Sequence, residues 1–404
     1  MKRLSRVVTL AAALVLAACA TAPQPAPRRP LIMISIDGFR ADYIGRGYTP
    51  TLARLAAQGV NARAMRPSFP ALTYPNHYTL VTGLRPDHHG IVHNVIEDPS
   101  WPVTFGLGDR PQVRNPRWWE QGEPIWVTAK RAGRRTVSLF WPGDETPIHG
   151  LQPDRWKTFD QDITAEARAD QMLAWIAADR PDFAGLYFDD VDSAGHTYGP
   201  DSPELNAAIA RVDSAIARLL AGLAATGITE DRFDLIVTAD HGMVRADKLV
   251  FLDDLAKGTA RVVTGGATGM LEPLPERQEE AYTVIVGRHE HAECWRKQDV
   301  PERFHYGTNR RISAIVCLAD LGWYLTTHAA SDGKTPSIGQ HGADPYASEM
   351  AALFIGHGPS FRQGVVLSEM DNVDIYPIAM RLLAVPPRPN DGNPAIADAA
   401  LRTP

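Results

Sequence analysis

From Leu31 onward, short apolar runs alternate with segments of helical periodicity, and this alternation limits the possible folds more than any other feature of the sequence. An apolar run without polar alternation is typical of a strand that is buried on both faces of a sheet. We predict five such strands, Leu31–Ile36, Thr136–Phe140, Phe183–Phe188, Phe233–Val237 and Ala351–Ile355. The clearest helical segments are Thr49–Gln58, Ala165–Ala178 and Pro203–Ala225. This order indicates an α/β fold, with a doubly wound, mostly parallel sheet sandwiched by helices.

Length and composition support one large globular domain. The chain has 404 residues, of which 44% are hydrophobic, and this excludes a disordered or collagen-like protein. Its 41 Lys and Arg against 47 Asp and Glu give a formal net charge of −6, which argues against a basic nucleic-acid-binding surface. We assign residues 31–404 to a single domain, in which about 245–340 form an insertion or cap, because this region is richer in charge and glycine.

The N-terminus has the pattern of an export signal. Three cations precede the apolar run Val7–Ala18, which suits the core of a signal peptide but is too short for a permanent membrane span. Leu16–Cys19 resembles a bacterial lipobox, and Ala20 is not the aspartate of an inner-membrane retention signal. We predict a signal peptide over 1–18, a tether over 19–30, and an outer-membrane lipoprotein in the periplasm, attached to the membrane only by a lipid on Cys19. Ordinary cleavage, with Cys19 incidental, is the alternative.

Acidic residues follow three of the predicted strands directly. Asp37 follows the first strand, a cluster that includes Asp189, Asp190 and Asp192 follows the third, and Asp240 comes after the fourth. Ligands of such sheets bind at the carboxyl ends of the strands. One aspartate in this position is usually a turn residue or a helix cap, so the neighbouring histidines decide the interpretation.

Histidines accompany these aspartates. His196 comes four residues after Asp192, His241 directly follows Asp240, and His341 precedes the last predicted strand. Mixed Asp and His ligands suit zinc better than calcium or magnesium. The three histidines and the aspartates Asp37, Asp192 and Asp240 make six ligands, which are too many for one catalytic zinc ion and suitable for two. Two ions about 4 Å apart are a recurring device for in-line displacement at phosphorus.

Such a displacement needs a nucleophile, for which Thr73 is the candidate. It precedes a predicted helical segment, Asn76–Thr82, that ends at Gly83. At a helix N-terminus, the Thr73 hydroxyl could bind a metal ion, which would lower the pKa of the hydroxyl. The N-terminal end of the helix would then face an anion. The alternative is that Thr73 is a simple helix cap.

Seven motifs follow one another along the chain, at Ile36–Arg40, Thr73–Tyr78, Thr82–Asn94, Phe140–Gly143, Asp192–His196, Ala239–Met243 and His341–Gly342. Together they closely resemble the nucleotide pyrophosphatase/phosphodiesterase family of the alkaline phosphatase superfamily. The resemblance extends to Asn372–Tyr376 and Pro389–Gly392. It implies the same doubly wound α/β sandwich and a phosphoric diester hydrolase activity.

The resemblance also implies roles for individual residues. One zinc ion would be held by Asp37, Thr73, Asp240 and His241. The second zinc ion would be held by Asp192, His196 and His341. Thr73 would be the nucleophile, and water would hydrolyse the resulting phosphothreonine intermediate.

Other residues would contact the substrate. Asn94 falls where the family has a side-chain amide that donates to a non-bridging phosphate oxygen, and the backbone amide of Tyr74 could assist it. Tyr74 matches an aromatic position that stacks on a nucleobase, and Trp156, Phe159 and Tyr187 are further candidates for the pocket. Alternatively, these rings belong to the core.

The leading hypothesis is a zinc-dependent hydrolase of nucleotide phosphodiester and phosphoanhydride bonds that releases nucleoside 5′-monophosphates. Family members that act on choline phosphodiesters or lysophospholipids share the metal ligands, so these substrates are the alternative. A phosphomonoesterase or a sulfatase of the same superfamily is a further possibility, although Thr73-Tyr-Pro-Asn-His lacks the Cys-x-Pro-x-Arg motif of a sulfatase. A lipoprotein that binds metal without turnover is a different class. We expect a monomer with a small-molecule substrate.

Three remaining features have simpler explanations. Cys294 and Cys317 are expected to form a disulfide in an oxidising compartment, since no motif supports a cysteine nucleophile. The metal-like run His289–His291 is expected to be a solvated loop of the insertion. His93 replaces a residue that is often smaller in relatives, and it could bring a positive or hydrogen-bonding group near Asn94.

Overall fold

A computed structural model describes residues 29–332 and 337–402. The predicted signal peptide, Cys19 and most of the tether lie outside the described residues. The central sheet has seven strands, β1 Leu31–Ile36, β2 Val60–Ala62, β3 Thr136–Leu139, β4 Phe183–Phe188, β5 Asp234–Thr238, β6 Phe354–His357 and β7 Val365–Leu367. Their order across the sheet is β7-β2-β6-β5-β1-β4-β3.

The sheet is mostly parallel, as predicted. Strand β1 pairs in parallel with β4 and β5, and β3 pairs in parallel with β4. Strands β1 and β4 are buried along their whole length, which explains why their sequences are almost entirely apolar. The predicted fold class is therefore confirmed.

The helices of at least seven residues are α1 Pro50–Gln58, α2 Thr73–Thr82, α3 Ile125–Arg131, α4 Ala165–Asp179, α5 Asp190–Tyr198, α6 Pro203–Ala225, α7 Gln278–Ile285, α8 Ile375–Leu382 and α9 Pro394–Ala400. They surround the central sheet, except for α7, which packs against the second sheet described below. Helix α6 packs against α1, α4 and α5, while α8 packs against α2, α3 and α9. Each group buries its apolar stripe against the sheet or a neighbouring helix, which gives the predicted layers.

Strand β6, the last of the five predicted strands, differs from the prediction. It begins at Phe354 rather than Ala351, and it runs antiparallel to β5 and β2. The preceding residues use their backbone groups elsewhere, since the Ala351 carbonyl accepts from Ala41 and the Leu353 amide donates to Phe39. Because β6 is antiparallel, its first residue lies at the edge where the parallel strands end. This reversal brings the loop that carries His341 to the carboxyl edge of the sheet.

The region predicted as an insertion contains a second sheet. Its five antiparallel strands, in spatial order, are Ala260–Thr264, Thr268–Pro273, Ile315–Ala319, Ala292–Arg296 and Gly287–Arg288. A disulfide joins Cys294 and Cys317 on paired strands, as expected. His289 contacts the backbone carbonyl of Ile285, and the ring of His291 stacks on Trp323.

Two buried aspartates attach this second sheet to the main body. Asp87 accepts hydrogen bonds from the backbone amides of residues 307–309. Asp98 forms salt bridges with Arg310 and with the fully buried Arg311. In the described part of the chain, no helix combines the length and hydrophobicity needed to span a bilayer.

The remaining strands are short and lie in two-stranded sheets, at Met65–Arg66, Val95–Asp98, Trp101–Gly106, Val244–Arg245, Lys248–Phe251, Trp323–Thr326, Gly339–Gln340 and Met370–Asp371. The remaining α-helices have four or five residues and are Pro86–His89, Arg110–Val113, Leu252–Ala256 and His328–Ser331. Short 3-10 turns complete the structure, at Ala41–Arg46, Pro116–Trp118, Lys297–Asp299, Glu302–Phe304, Ser348–Met350 and Asn372–Asp374.

Candidate active site

The carboxyl edge of the central sheet brings the predicted ligands together. Asp37 directly follows β1, and Asp240 comes two residues after the end of β5. Asp192 and His196 lie one helical turn apart on α5, which begins two residues after β4, so both side chains project from the same face. These positions follow from strand direction, because adjacent parallel strands end at one edge.

Three carboxylates in this cluster each have a buried oxygen without a hydrogen-bond partner. These atoms are Asp37 Oδ1, Asp192 Oδ1 and Asp240 Oδ2. Burial, together with repulsion from Asp240 and Asp192, raises the pKa of Asp37 well above its usual range. Burial also raises the pKa of Asp192. Buried carboxylates of this kind need cations near their free oxygens, so the cluster fits divalent metal ions.

The three candidate histidine ligands share one tautomer. Each directs Nδ1 at a backbone carbonyl, from His196 to Gly339 at 2.8 Å, from His241 to Gly242 at 2.9 Å and from His341 to Ala71 at 3.1 Å. A carbonyl oxygen only accepts, so Nδ1 carries a proton and Nε2 is the nitrogen left to face the cluster. Metal-ligating histidines are typically oriented by such a bond.

Candidate ligand atoms converge at three overlapping places, two of which are formed by the predicted ligands alone. Asp192, His196 and His341 offer atoms that all lie within 4.8 Å of one another, and so do Asp37, Asp192 and His241. The rings of His241 and His341 stack with their centroids 3.7 Å apart. Asp240 Oδ2 lies 2.9 Å from His241 Nε2. The six Asp and His residues therefore form one cluster, whose donor set fits divalent ions of the zinc type.

Thr73 points into this cluster and does not cap a helix through its side chain. Helix α2 begins at Thr73 itself, after Leu72 in an extended conformation. The Thr73 Oγ1 atom lies 3.3 Å from His241 Nε2. The Asn76 side chain fixes the preceding loop, since its amide donates to the carbonyls of Pro70 and Leu72. The hydroxyl therefore sits at the edge of the cluster on a firmly held backbone.

Asn94 is oriented by the backbone amide of Tyr74. The Tyr74 N–H donates to Asn94 Oδ1 at 3.1 Å. In this structure the N–H is bonded to Asn94, and its assistance at phosphate stays a prediction. The bond also fixes the sense of the Asn94 amide, since its oxygen faces Tyr74 and its NH2 group is the remaining donor.

A cleft of about 210 Å³ adjoins Asp37 and Thr73. The predicted aromatics Tyr74, Phe159 and Tyr187 line it. Trp156 is not among its lining residues, and its ring instead lies beside the Arg114 guanidinium, 5.8 Å from the ring centre. The Tyr187 hydroxyl donates to Asp37 Oδ2 at 2.6 Å, so this residue also orients a candidate metal ligand.

Several lining residues had no role assigned from the sequence. Phe140 and Trp141 belong to a recognised motif, whereas Arg110 and Glu145 carry no sequence signal. Arg110 pairs with Glu145 Oε1, which also accepts from the Phe159 amide. Glu145 Oε2 is buried without a hydrogen-bond partner. Its partners come from separate segments of the chain, so only the folded chain reveals this polar part of the cleft lining.

His93 does not bring a positive charge near Asn94. Burial lowers the pKa of His93 to about 4, so the ring is neutral at pH 7. Its Nε2 lies 3.2 Å from the Thr268 carbonyl, and its Nδ1 accepts from the Val95 amide. His93 therefore connects the Asn94 loop to the second sheet.

Comparison with known proteins agrees with this geometry. Residues 31–344 match the family model described as type I phosphodiesterase / nucleotide pyrophosphatase. An uncharacterized pyrophosphatase/phosphodiesterase of Schizosaccharomyces pombe is 38% identical, covering 90% of this chain and 78% of the relative. Human ectonucleotide pyrophosphatase/phosphodiesterase family member 5 is 33% identical, covering 90% and 76%.

Solved structures show the same fold. Murine ectonucleotide pyrophosphatase/phosphodiesterase 5, as an inactive threonine-to-alanine variant in complex with AMP, superposes with a TM-score of 0.86 at 31% identity. The match covers 92% of this chain and 100% of the murine one. The chain therefore belongs to the type I phosphodiesterase/nucleotide pyrophosphatase family, within the alkaline phosphatase superfamily.

Proposed function

We propose that this protein hydrolyses phosphodiester and phosphoanhydride bonds of nucleotides, releases nucleoside 5′-monophosphates, and uses two zinc ions and a phosphothreonine intermediate. The observation that carries the proposal is the position of Thr73, whose hydroxyl borders both the Asp–His cluster and the cleft. The AMP bound by an inactive threonine-to-alanine variant of a murine relative supports both a threonine nucleophile and a nucleotide ligand.

The cluster would hold the two ions in two groups. Asp37, Thr73, Asp240 and His241 would hold one, and Asp192, His196 and His341 would hold the other. When bound, the ions would supply Lewis acidity, which neutralises phosphate charge and lowers the pKa of a nearby hydroxyl. Zinc is favoured over magnesium or calcium because three of the ligands are imidazoles.

The chain's own residues would perform the displacement. Thr73 Oγ gives up its proton and attacks phosphorus, and the bond from phosphorus to the leaving oxygen breaks. An alcohol leaving oxygen takes up a proton from solvent. Thr73 then carries the nucleoside 5′-monophosphate as an ester, which is the phosphothreonine intermediate. Water then attacks the same phosphorus and releases the monophosphate together with free Thr73. The Asn94 NH2 group donates to a non-bridging oxygen, whose charge is greatest in the transition state. Because Tyr74 fixes this amide in advance, little reorganisation is required during the reaction.

The cleft has the chemistry of a nucleoside site. Tyr74 packs edge-on against Phe105, and Phe159 packs edge-on against Phe140, so both lining rings are held in place. Stacking of a base on an aromatic side chain is worth about 1–3 kcal/mol and tolerates different bases. The polar pair Arg110–Glu145 in the cleft lining would then contact the edge of the base.

We expect Glu145 to favour bases that carry an amino group. Its Oε2 atom offers one unused acceptor, with Arg114 Nε as a cation 3.9 Å away, and Arg110 supplies donors beside it. Adenine and cytosine present a matching amino donor next to a ring acceptor. Glu145→Gln replaces part of this acceptor by a donor, so we expect the kcat/KM preference for adenosine over inosine diesters to fall about 10-fold.

Glu123→Gln is the matched control for this prediction. Glu123 is also largely buried and paired with an arginine, Arg131, but it does not line the cleft. We expect this control to keep the wild-type base preference. An unchanged preference in Glu145→Gln would show that Glu145 does not read the base.

The proposal is tested by comparing rates on small esters with zinc-loaded protein. We expect kcat/KM for the nitrophenyl ester of thymidine 5′-monophosphate to exceed that for nitrophenyl phosphate and for nitrophenyl phosphorylcholine. A faster monoester would refute the phosphodiesterase activity. A faster choline ester would refute only the nucleotide preference and support the choline or lysophospholipid alternative.

Domain organisation and location belong to the same proposal. We propose that residues 31–404 act as one catalytic domain, with the second sheet as a cap, and that the protein is a monomer. We also propose export to the periplasm with a lipid on Cys19. The disulfide between Cys294 and Cys317 supports export, because disulfides persist in oxidising compartments.

A further inference from the structure

His77 is a fully buried histidine to which the proposed mechanism gives no role. Its Nδ1 lies 2.9 Å from the Thr73 carbonyl oxygen and 3.3 Å from Asp240 Oδ2. Its Nε2 lies 2.8 Å from the Ser35 hydroxyl. His77, Asp37 and Asp240 also offer atoms close enough to share a metal ion, which makes His77 a possible ligand.

The hydrogen bonds of His77 exclude a ligand role in this conformation. The Thr73 carbonyl can only accept, so Nδ1 carries the proton and cannot bind a cation. The remaining lone pair, on Nε2, accepts from the Ser35 hydroxyl. His241 has the same tautomer, but its Nε2 faces the carboxylates and Thr73 instead. Both nitrogens of His77 are therefore occupied by protein groups.

We infer that His77 is a positioning residue that sets the distance between the Thr73 nucleophile and the carboxylates of the metal cluster. The inference rests on the roles of Thr73, Asp37 and Asp240 in the proposed function. Ser35 lies near the end of β1, two residues before Asp37, which directly follows this strand. One imidazole thus connects the strand that leads into Asp37, the first turn of α2 and Asp240, two residues beyond β5.

The surroundings of the ring make this connection rigid. Trp141 and Tyr187 contact the imidazole edge-on, with ring centroids 5.5 Å and 5.0 Å away. Trp141 Nε1 also donates to the His77 carbonyl oxygen at 3.1 Å. The Tyr187 hydroxyl is bonded to Asp37, so the ring cannot shift without disturbing a candidate ligand. Packing of this kind holds Thr73, in the first turn of α2, and the aspartates after the strands close to the positions that catalysis requires.

The test compares His77→Phe with His77→Asn. Phenylalanine fills the space without a donor, whereas the asparagine amide can place a donor near the position of Nδ1. For His77→Phe we expect zinc affinity to fall about 10- to 100-fold, the range seen when a bond that orients a ligand is lost. We expect kcat to fall about 100-fold with little change in KM. His77→Asn should recover at least about 10-fold of each loss.

His89→Asn is the matched control. His89 is also fully buried and bonds to a residue of α2, with its Nε2 3.0 Å from Thr79 Oγ1. We expect this variant to lower the thermal unfolding temperature while zinc affinity and kcat stay at the wild-type level. A role of His77 in stability alone would make His77→Phe behave like His89→Asn, and that result would overturn the inference.

Zinc affinity is measured by competition with a chromophoric chelator, and kcat and KM with a nitrophenyl diester. Wild-type zinc affinity and kcat in His77→Phe would overturn the inference, as would equal losses in His77→Asn and His77→Phe. If His77→Phe does not fold, Ser35→Ala and His77→Asn test the inference instead. We expect Ser35→Ala to have reduced zinc affinity. Wild-type zinc affinity and kcat in both variants would overturn the inference. A wild-type protein that is inactive on all diesters refutes the proposed function, while the zinc titrations still test His77.

Discussion

Thr73→Ala is expected to lower kcat for a nucleotide diester by at least about 10⁴-fold, as expected when a covalent nucleophile is removed. Zinc content should stay near the wild-type level, because the six Asp and His ligands remain. The Thr73 Oγ1 atom is 3.3 Å from His241 Nε2 and is not needed to cap α2, so its loss should disturb the helix little. Thr73→Ser keeps a hydroxyl and should retain part of the activity.

Thr79→Ala provides the matched control for Thr73→Ala. Thr79 lies on the same helix and is fully buried, but its hydroxyl contacts His89 rather than the metal cluster. We expect this control to lose stability and to keep most of its kcat. Trapping with a radiolabelled substrate should label wild-type protein at Thr73 on rapid acid quench. A Thr73→Ala variant with full turnover would contradict the nucleophile assignment.

Removal of metal is expected to abolish activity and to lower the unfolding temperature. Without cations, three carboxylates of one cluster each have a buried oxygen without a hydrogen-bond partner, and the pKa of Asp37 is raised by burial and by the charges of Asp240 and Asp192. Ligands that bind only the folded state stabilise it by about 4 kcal/mol at 1,000 times their Kd. We therefore expect the unfolding temperature to fall by roughly 10 °C after treatment with dipicolinate, and zinc to restore both properties.

Mass spectrometry of the metal content and two aspartate variants check this prediction. Asp240→Asn should reduce bound zinc and activity together. Asp213→Asn is the control, since Asp213 is also buried but accepts hydrogen bonds from the Leu52 and Thr51 amides, far along the chain from the cluster. We expect the control to keep about two zinc ions per chain. Full activity in protein shown to be free of metal would contradict the two-metal proposal.

The positions of most cluster residues could be predicted because they depend on local features. A fully apolar strand followed by an aspartate places that aspartate at the carboxyl edge of a parallel sheet. Asp192 and His196 meet because they are one helical turn apart, whatever surrounds the helix. The apolar sequence of β6 gave no information on the direction of this strand, because its uniform burial is equally compatible with a parallel or an antiparallel orientation.

Residues whose roles depend on distant partners were not predictable in this way. The Tyr187 hydroxyl bonds to a carboxylate 150 residues away, and the Ser35 hydroxyl bonds to an imidazole 42 residues away. The aromatic character of Tyr187 suggested a substrate contact, whereas its hydroxyl holds Asp37. Trp156 was equally aromatic, but its loop turns it towards Arg114 and away from the cleft lining.

The sequence by itself determined the α/β fold, the edge at which the chemistry lies and the identity of the Asp and His cluster, because strand periodicity and short motifs act over a few residues. Only the tertiary structure decided which nitrogen of each histidine faces the cluster, which oxygens lack partners, and that the Arg110–Glu145 pair lines the cleft. The physical reason is that hydrogen-bond tautomers and buried unpaired atoms are set by contacts between segments far apart in the chain.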